Sequence, residues 1–336
     1  MALTRRDFAA LAGAAAMAPA GARAQLREAV IIAEGGASAE RPAGTAAAFV
    51  LAVTEGADYL ETGLAPSRDG VLIARDDHAL SSSTDVAEHP EFAARRATKT
   101  IDGATVSGWF SEDFSVNELK TLTCRDPAAR SRSSGGGRAS PPGIMTFQEV
   151  IDFARDASAR MGRVIGVCAT LRRSAYFASV DLALEPRTAE LIRLNGYNWP
   201  SAAMIVRSPE ADSLKAIGAL TRARRSWIIA ADDAPSADFG AARACAEIVS
   251  PPAMVIFDLS AASPSPTPML ASARAAGLAV HARVEPTMDP YPPKPFRPGD
   301  LRGLFAALYA AGVEGVVTDR PSIAARARAA KRDTTW

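Results

Sequence analysis

Several acidic residues in this chain stand where a short apolar run ends. Glu34 follows the run at 30–33, Glu61 follows 58–60, and Asp76 with Asp77 follows 71–74. Further on, Thr170 and Arg172 follow 164–168, Arg207 closes 203–207, His281 follows 278–280, and Asp319 follows 315–318. Carboxylates placed this way suit two kinds of chemistry. Several together hold a hard cation such as Ca²⁺ or Mg²⁺, whose affinity follows the number of oxygen ligands. One alone can move protons, but its pKa starts near ~4, and lifting it to about 7 costs roughly 4 kcal/mol. His281, or His78 just beyond the acid pair, needs no such lift to act as acid or base. The simpler expectation for His78 is a solvated loop position.

Such residues converge only if a frame sets the strand ends side by side. Apolar runs with strand character fall at 29–33, 58–61, 71–74, 164–168, 203–207, 226–230, 247–249, 279–282 and 315–318. Helical spacing fits 45–55, 147–159, 176–195, 211–220, 267–276, 301–311 and 322–330. Alternation of this kind predicts an α/β fold with a parallel sheet, and eight such units close a (β/α)8 TIM barrel with its reactive groups at the C-terminal strand ends. A doubly wound sheet is the rival. The glycines at 35–36 form neither GxGxxG nor a P-loop, which favours the barrel.

The region 79–143 breaks the alternation and reads as an insertion after an early strand. It contains a turn signal at Asp102-Gly103, a capping box from Ser115 to Glu118, and a Ser/Gly/Arg stretch at 131–138. A proline-rich segment at 285–299 is a second candidate for the rim of the barrel mouth.

With 336 residues, 48% of them hydrophobic, the chain can bury a large core. Lys and Arg number 38 against 37 Asp and Glu, so no overall field draws it to nucleic acid or to an acidic membrane surface, and no nucleic-acid partner is expected. Residues 1–24 differ from the rest. Arg5-Arg6 precedes an alanine-rich apolar stretch that ends in the small-x-small site Ala22-Arg23-Ala24. This predicts a twin-arginine-like signal peptide, the twin-arginine translocase as export partner, and a mature chain at 25–336 that is periplasmic or secreted. No other run approaches the ~18 apolar residues of a membrane span, so no transmembrane segment is expected in the mature chain. The three cysteines, Cys124, Cys168 and Cys245, are isolated, and Cys168 at the end of an apolar run reads as a buried thiol.

Spaced motifs along the mature chain resemble the periplasmic-type glycerophosphodiester phosphodiesterases. They are Ala37-Ser38, Pro42 and Thr45, then Gly56-Ala57-Asp58-Tyr59-Leu60-Glu61 and Arg68-Asp69-Gly70, then Asp77. Later matches are Ser83 to Val86, Trp109-Phe110, Thr146-Phe147-Gln148-Glu149, and Gly312 through Asp319. The resemblance implies a TIM barrel and hydrolysis of glycerophosphodiesters to an alcohol and glycerol 3-phosphate. It also implies a divalent cation held on three carboxylates, with two histidines as general acid and base.

Departures from that pattern fall on the reactive positions. Glu34-Gly35 stands for the family's His-Arg and Asp76 for its second histidine, so neither catalytic histidine is intact. Of the metal carboxylates only Glu61 remains, its partners being replaced by Gly63 and Thr170. Arg172 stands for the phosphate-facing lysine. The expectation is therefore an inactive, ligand-binding homologue without a metal cofactor. Arg172 and His281 would contact a small phosphodiester or related polar ligand. The alternative is an active hydrolase with Ca²⁺ or Mg²⁺ on relocated carboxylates, Glu34, Glu61, Asp76 and Asp77.

Overall fold

The computed structural model describes residues 28–125, 143–258, 260–261, 263–284, 292 and 294–333. The expected signal segment 1–24 and the Ser/Gly/Arg stretch at 131–138 lie outside these, as does much of the 285–299 segment.

Eight parallel strands close on themselves. They are β1 (Val30–Glu34), β2 (Tyr59–Pro66), β6 (Gly166–Leu171), β7 (Met204–Ser208), β8 (Arg224–Ile228), β9 (Ile248–Ser250), β10 (Ala279–Val284) and β11 (Gly315–Thr318). β1 pairs with β11 through Val30↔Gly315 and with β2 through Ile32↔Tyr59, which completes the ring. Each strand turns alternate residues inward. Ile32, Cys168, Ile205, Ile248 and Val317 pack together as an apolar layer inside the barrel. All three cysteines are free and buried, and burial pushes the Cys168 thiol up from its ordinary value.

Helices cover the outside, among them α1 (Ala46–Thr54), α3 (Phe147–Met161), α6 (Ala211–Leu220), α9 (Leu301–Ala311) and α10 (Pro321–Asp333). In α3, Thr146 and Glu149 form a capping box and Gly162 ends the helix in the left-handed region at φ 61°. Phe147, Val150, Ile151, Ala154 and Ala157 make one buried face at helical spacing. The single helix expected over 176–195 is instead two, α4 (Ser174–Ser179) and α5 (Leu184–Leu194), with Asp181 between them at φ 61°. Pro186 explains the break. In a continuous helix its missing N–H and its ring would conflict with the carbonyl at 182, so the helix restarts with proline in the first turn.

The run at 71–74 is not a barrel strand. As β3 (Leu72–Ala74) it folds back antiparallel on the far half of β2, through Leu64↔Ala74. The chain then enters the insertion. Its hairpin, β4 (Ala97–Ile101) and β5 (Ala104–Gly108), turns at Asp102-Gly103, both with positive φ as a type I′ turn requires. The short α2 (Val116–Leu119) carries the expected Ser115–Glu118 capping box. Arg75 ties the insertion to the barrel, donating from Nη1 to Cys124 Sγ at 3.3 Å and from Nη2 to the Ser83 carbonyl at 3.4 Å.

Candidate functional site

The mouth lies over the C-terminal ends of β1, β2 and β6. A cleft of about 310 Å³ opens there, and Glu34, Glu61, Gly63, Asp76 and Asp77 are among the residues lining it. All four acids of the relocated-carboxylate alternative border this one cleft. Their partners decide what they can do.

Glu61 points inward from β2 and is only 2% exposed. One carboxylate oxygen accepts the Thr170 hydroxyl from the neighbouring β6, and the other accepts the Gly35 backbone N–H at 3.1 Å. The Arg207 guanidinium on β7 lies 3.8 Å from the first oxygen. Burial raises the Glu61 pKa above the usual carboxylate range; Arg207 pulls it down, and the nearby Asp76 adds to the rise. Arg207 is itself 1% exposed and reaches Ser250 Oγ at 3.4 Å, while its Nε and Nη1 have no hydrogen-bond partner among the described residues. A charge so deeply placed requires a counter-charge, and Glu61 provides it. From the sequence Arg207 is an arginine at a strand end, where acids and bases often pair with neighbours, but no acid is named as its partner. Its partner sits on another strand and comes close through barrel closure.

Asp76 stands at the rim. Its carboxylate accepts Arg172 Nε at 2.9 Å, and its carbonyl accepts Arg173 Nη1 at 3.5 Å. The two positions corresponding to the family's second histidine and its lysine are therefore paired with each other. Asp77 is engaged locally, accepting the Ala79 N–H at 2.9 Å. Gly63, at the family's second metal-carboxylate position, has no room for a side chain. A Cβ there would lie 2.3 Å from Asp76 Cα, so the segment after β3 occupies the space an aspartate would need. Gly44 is similarly pressed, with φ 69° and a would-be Cβ 2.4 Å from the Ala74 carbonyl oxygen.

His281 is not brought to the mouth. It is 3% exposed, and its ring lies over Gly315, the first residue of β11, in the lower half of the barrel. Burial, with Arg224 and Arg207 adding to it, pushes its pKa down to about 3, so the imidazole stays neutral. His78 is not the solvated loop residue expected. It is buried against Phe110, Tyr176 and Phe177, with ring centroids 5.7, 6.0 and 6.1 Å away. Both its ring nitrogens lack a hydrogen-bond partner among the described residues, and burial lowers its pKa. The aromatic spacing that makes this box, Phe110 with Tyr176-Phe177, was visible along the chain, but their meeting was not.

The metal implied by the resemblance does not fit this donor set. Among the described residues no group of three or more His, Cys, Asp or Glu could hold a metal ion. Glu61, the one retained carboxylate, is committed to a hydroxyl, a backbone N–H and a guanidinium.

Residues 36–323 match the glycerophosphoryl diester phosphodiesterase family, and the chain belongs to that family. A glycerophosphodiester phosphodiesterase of Arabidopsis thaliana is 32% identical over 210 residues, covering 59% of this chain and 55% of that protein. One from Treponema pallidum is 30% identical over 202 residues, covering 56% of this chain and 53% of its own. The chain thus spans about half the length of these relatives. Among solved structures, a glycerophosphodiester phosphodiesterase of Agrobacterium tumefaciens superposes with a TM-score of 0.60 at 18% identity, over 89% of this chain and 99% of that one. A phosphodiesterase of Oleispira antarctica in complex with the product sn-glycerol-3-phosphate gives 0.59 at 19%, over 89% and 96%. At these identities the structures establish the shared fold.

Proposed function

We propose that this chain is a catalytically silent member of its family that binds a small phosphodiester or related polar ligand at the barrel mouth. The observation that carries this reading is the state of Glu61. The one retained metal carboxylate is buried and occupied by Thr170, Gly35 and Arg207, while its former partner position, Gly63, is closed off by Asp76. In chemical terms a fixed guanidinium takes over the neutralising part of a bound cation without its capacity to coordinate substrate or water. Glu34 and Asp76 stand where the resemblance places the family's two histidines, and a carboxylate is a poorer general acid or base at neutral pH than an imidazole. Of the two residues expected to meet the ligand, Arg172 lies at the rim, held by Asp76 and able to exchange that carboxylate for an incoming anion. His281 stays neutral beneath, as part of the barrel filling. The relative that carries sn-glycerol-3-phosphate supports a ligand of this size and polarity. The paired arginines near the N-terminus support export by the twin-arginine translocase and a periplasmic or secreted location.

The alternative, a hydrolase with relocated carboxylates, has one observation in its favour: Glu34, Glu61, Asp76 and Asp77 line a single cleft. One experiment separates the two. Purified protein is incubated with glycerophosphocholine and Ca²⁺ or Mg²⁺, and glycerol 3-phosphate is measured alongside calorimetric binding of the intact diester. Binding heat without product is the expected result. Metal-dependent turnover that disappears in Glu61→Ala would falsify the silent reading.

A further inference from the structure

The end of the barrel opposite the mouth carries a surface that the ligand site does not use. Five of the seven large apolar side chains standing exposed among the described residues lie there, at the N-terminal side of β6, β7 and β8. They are Met161, Val164, Leu194, Trp199 and Leu220, between 49% and 70% exposed. Local structure places them together. Met161 and Val164 flank the turn from α3 into β6, and Trp199 stands in the loop that leads into β7, the strand paired with β6. Asn198 accepts the Arg222 N–H at 2.7 Å and the Thr221 hydroxyl at 3.0 Å, which joins the Trp199 loop to the end of α6 where Leu220 stands. The Trp199 indole N–H donates to the Gly196 carbonyl at 2.9 Å, which ties the ring to the turn that follows α5 and its exposed Leu194.

Charge around this sector differs from the rest of the floor. Elsewhere the floor arginines are paired, Arg328 with Asp58 and Glu28, Arg225 with Glu247, Arg274 with Glu314. Around the apolar group, Arg160, Arg193 and Arg222 are exposed and make no ion pair among the described residues. Asp156 and Glu190, the exposed acids nearest these helix ends, stand about one turn further up, toward the mouth, and Glu149, Asp152 and Asp212 lie higher still.

We infer that this face docks on a lipid bilayer with anionic headgroups. A tryptophan with its N–H already satisfied sits comfortably at the interface between hydrocarbon and water, and aliphatic neighbours add apolar area. Apolar insertion and basic attraction are each weak alone, and together they give stable but reversible attachment. The unpaired arginines match the headgroups, where each basic residue adds appreciably to binding. No helix among the described residues is long and apolar enough to cross a membrane. Docked this way, the mouth faces away from the bilayer and stays open to solvent.

The test is co-sedimentation of the full chain with vesicles of phosphatidylcholine and phosphatidylglycerol in equal parts, against pure phosphatidylcholine vesicles. Expected are binding to the anionic vesicles only, weakening as salt rises, and a loss on the order of a hundredfold in Arg160→Ser/Arg193→Ser/Arg222→Ser. Trp199→Ser weakens it as well, and Trp199 emission shifts to the blue on binding, read in Trp109→Phe/Trp227→Phe/Trp336→Phe. Because residues 1–27 are present in every variant, binding that survives both sets of patch substitutions overturns the proposal. So does absence of binding to the anionic vesicles. A concentration-dependent dimer in solution that Trp199→Ser abolishes overturns it in favour of a second copy of the chain.

Discussion

Two acid–arginine pairs, one inside the barrel and one at its rim, behave oppositely. Glu61–Arg207 lies inside the barrel, its side chains 3% and 1% exposed, while Asp76–Arg172 lies at the rim, its side chains 63% and 30% exposed. The inner pair is enforced. Desolvation makes either charge costly alone, and the Thr170 and Gly35 donors leave the carboxylate little freedom to change partners. The outer pair is optional, because water can replace either member at small cost. On the proposed reading, the inner pair takes the place of the family's metal at depth, whereas the rim offers Arg172 to an incoming anion.

Breaking the inner pair on one side gives the largest effect. Arg207→Ala leaves Glu61 buried without a counter-charge and should destabilise the fold by about 3–5 kcal/mol, read as a drop in the urea midpoint. Arg207→Met with Glu61→Leu removes both charges and should recover most of that loss. If the double variant is as unstable as the single one, the pair's charge is not what holds this region.

Acid provides a second, intermediate probe of the interior. His281 is neutral when folded, with a pKa pushed down to about 3, whereas in the unfolded chain it takes up a proton near ~6.5. Its contribution is complete above ~6.5 and is lost progressively as pH falls from there toward about 3, at about 1.4 kcal/mol per pH unit. Between pH ~6.5 and ~5 this amounts to about 2 kcal/mol. His281→Gln should flatten that part of the stability profile. His78, also lowered by burial, keeps a residual slope of the same sign. An unchanged profile in the variant would place the acid sensitivity elsewhere.

The smallest change is expected at the rim. Asp76→Ala should alter stability by no more than about 1 kcal/mol, since the pair is exposed. It should also free Arg172 and strengthen calorimetric binding of glycerophosphocholine, while Arg172→Ala weakens it. Equal binding in both variants would remove Arg172 from the ligand site.

Much of the frame was legible along the chain. The helices at 211–220 and 301–311 and the strand at 315–318 agree with their sequence-based bounds, because apolar spacing suffices there, with Asp300 and Gly312 capping the second helix. The break between α4 and α5 was also signalled, by Pro186, a residue whose consequence the apolar period concealed. The run at 71–74 misled because a strand's residue types do not say which neighbour it will pair with or in which direction; here the turn at 67–70 sends it back along β2.

The site divides in the same way. Family membership can be read from residue identity and spacing, and the expectation that Glu34, Gly63, Asp76 and Thr170 stand for the family's reactive residues rests on the same signal. That Glu61 is spoken for, that Asp76 fills the space beside Gly63, and that His281 lies beneath the mouth all needed the closed barrel. Residue type states what a group is able to do. Its partners and its burial, set by strands far apart in the chain, decide whether it is left free to do it.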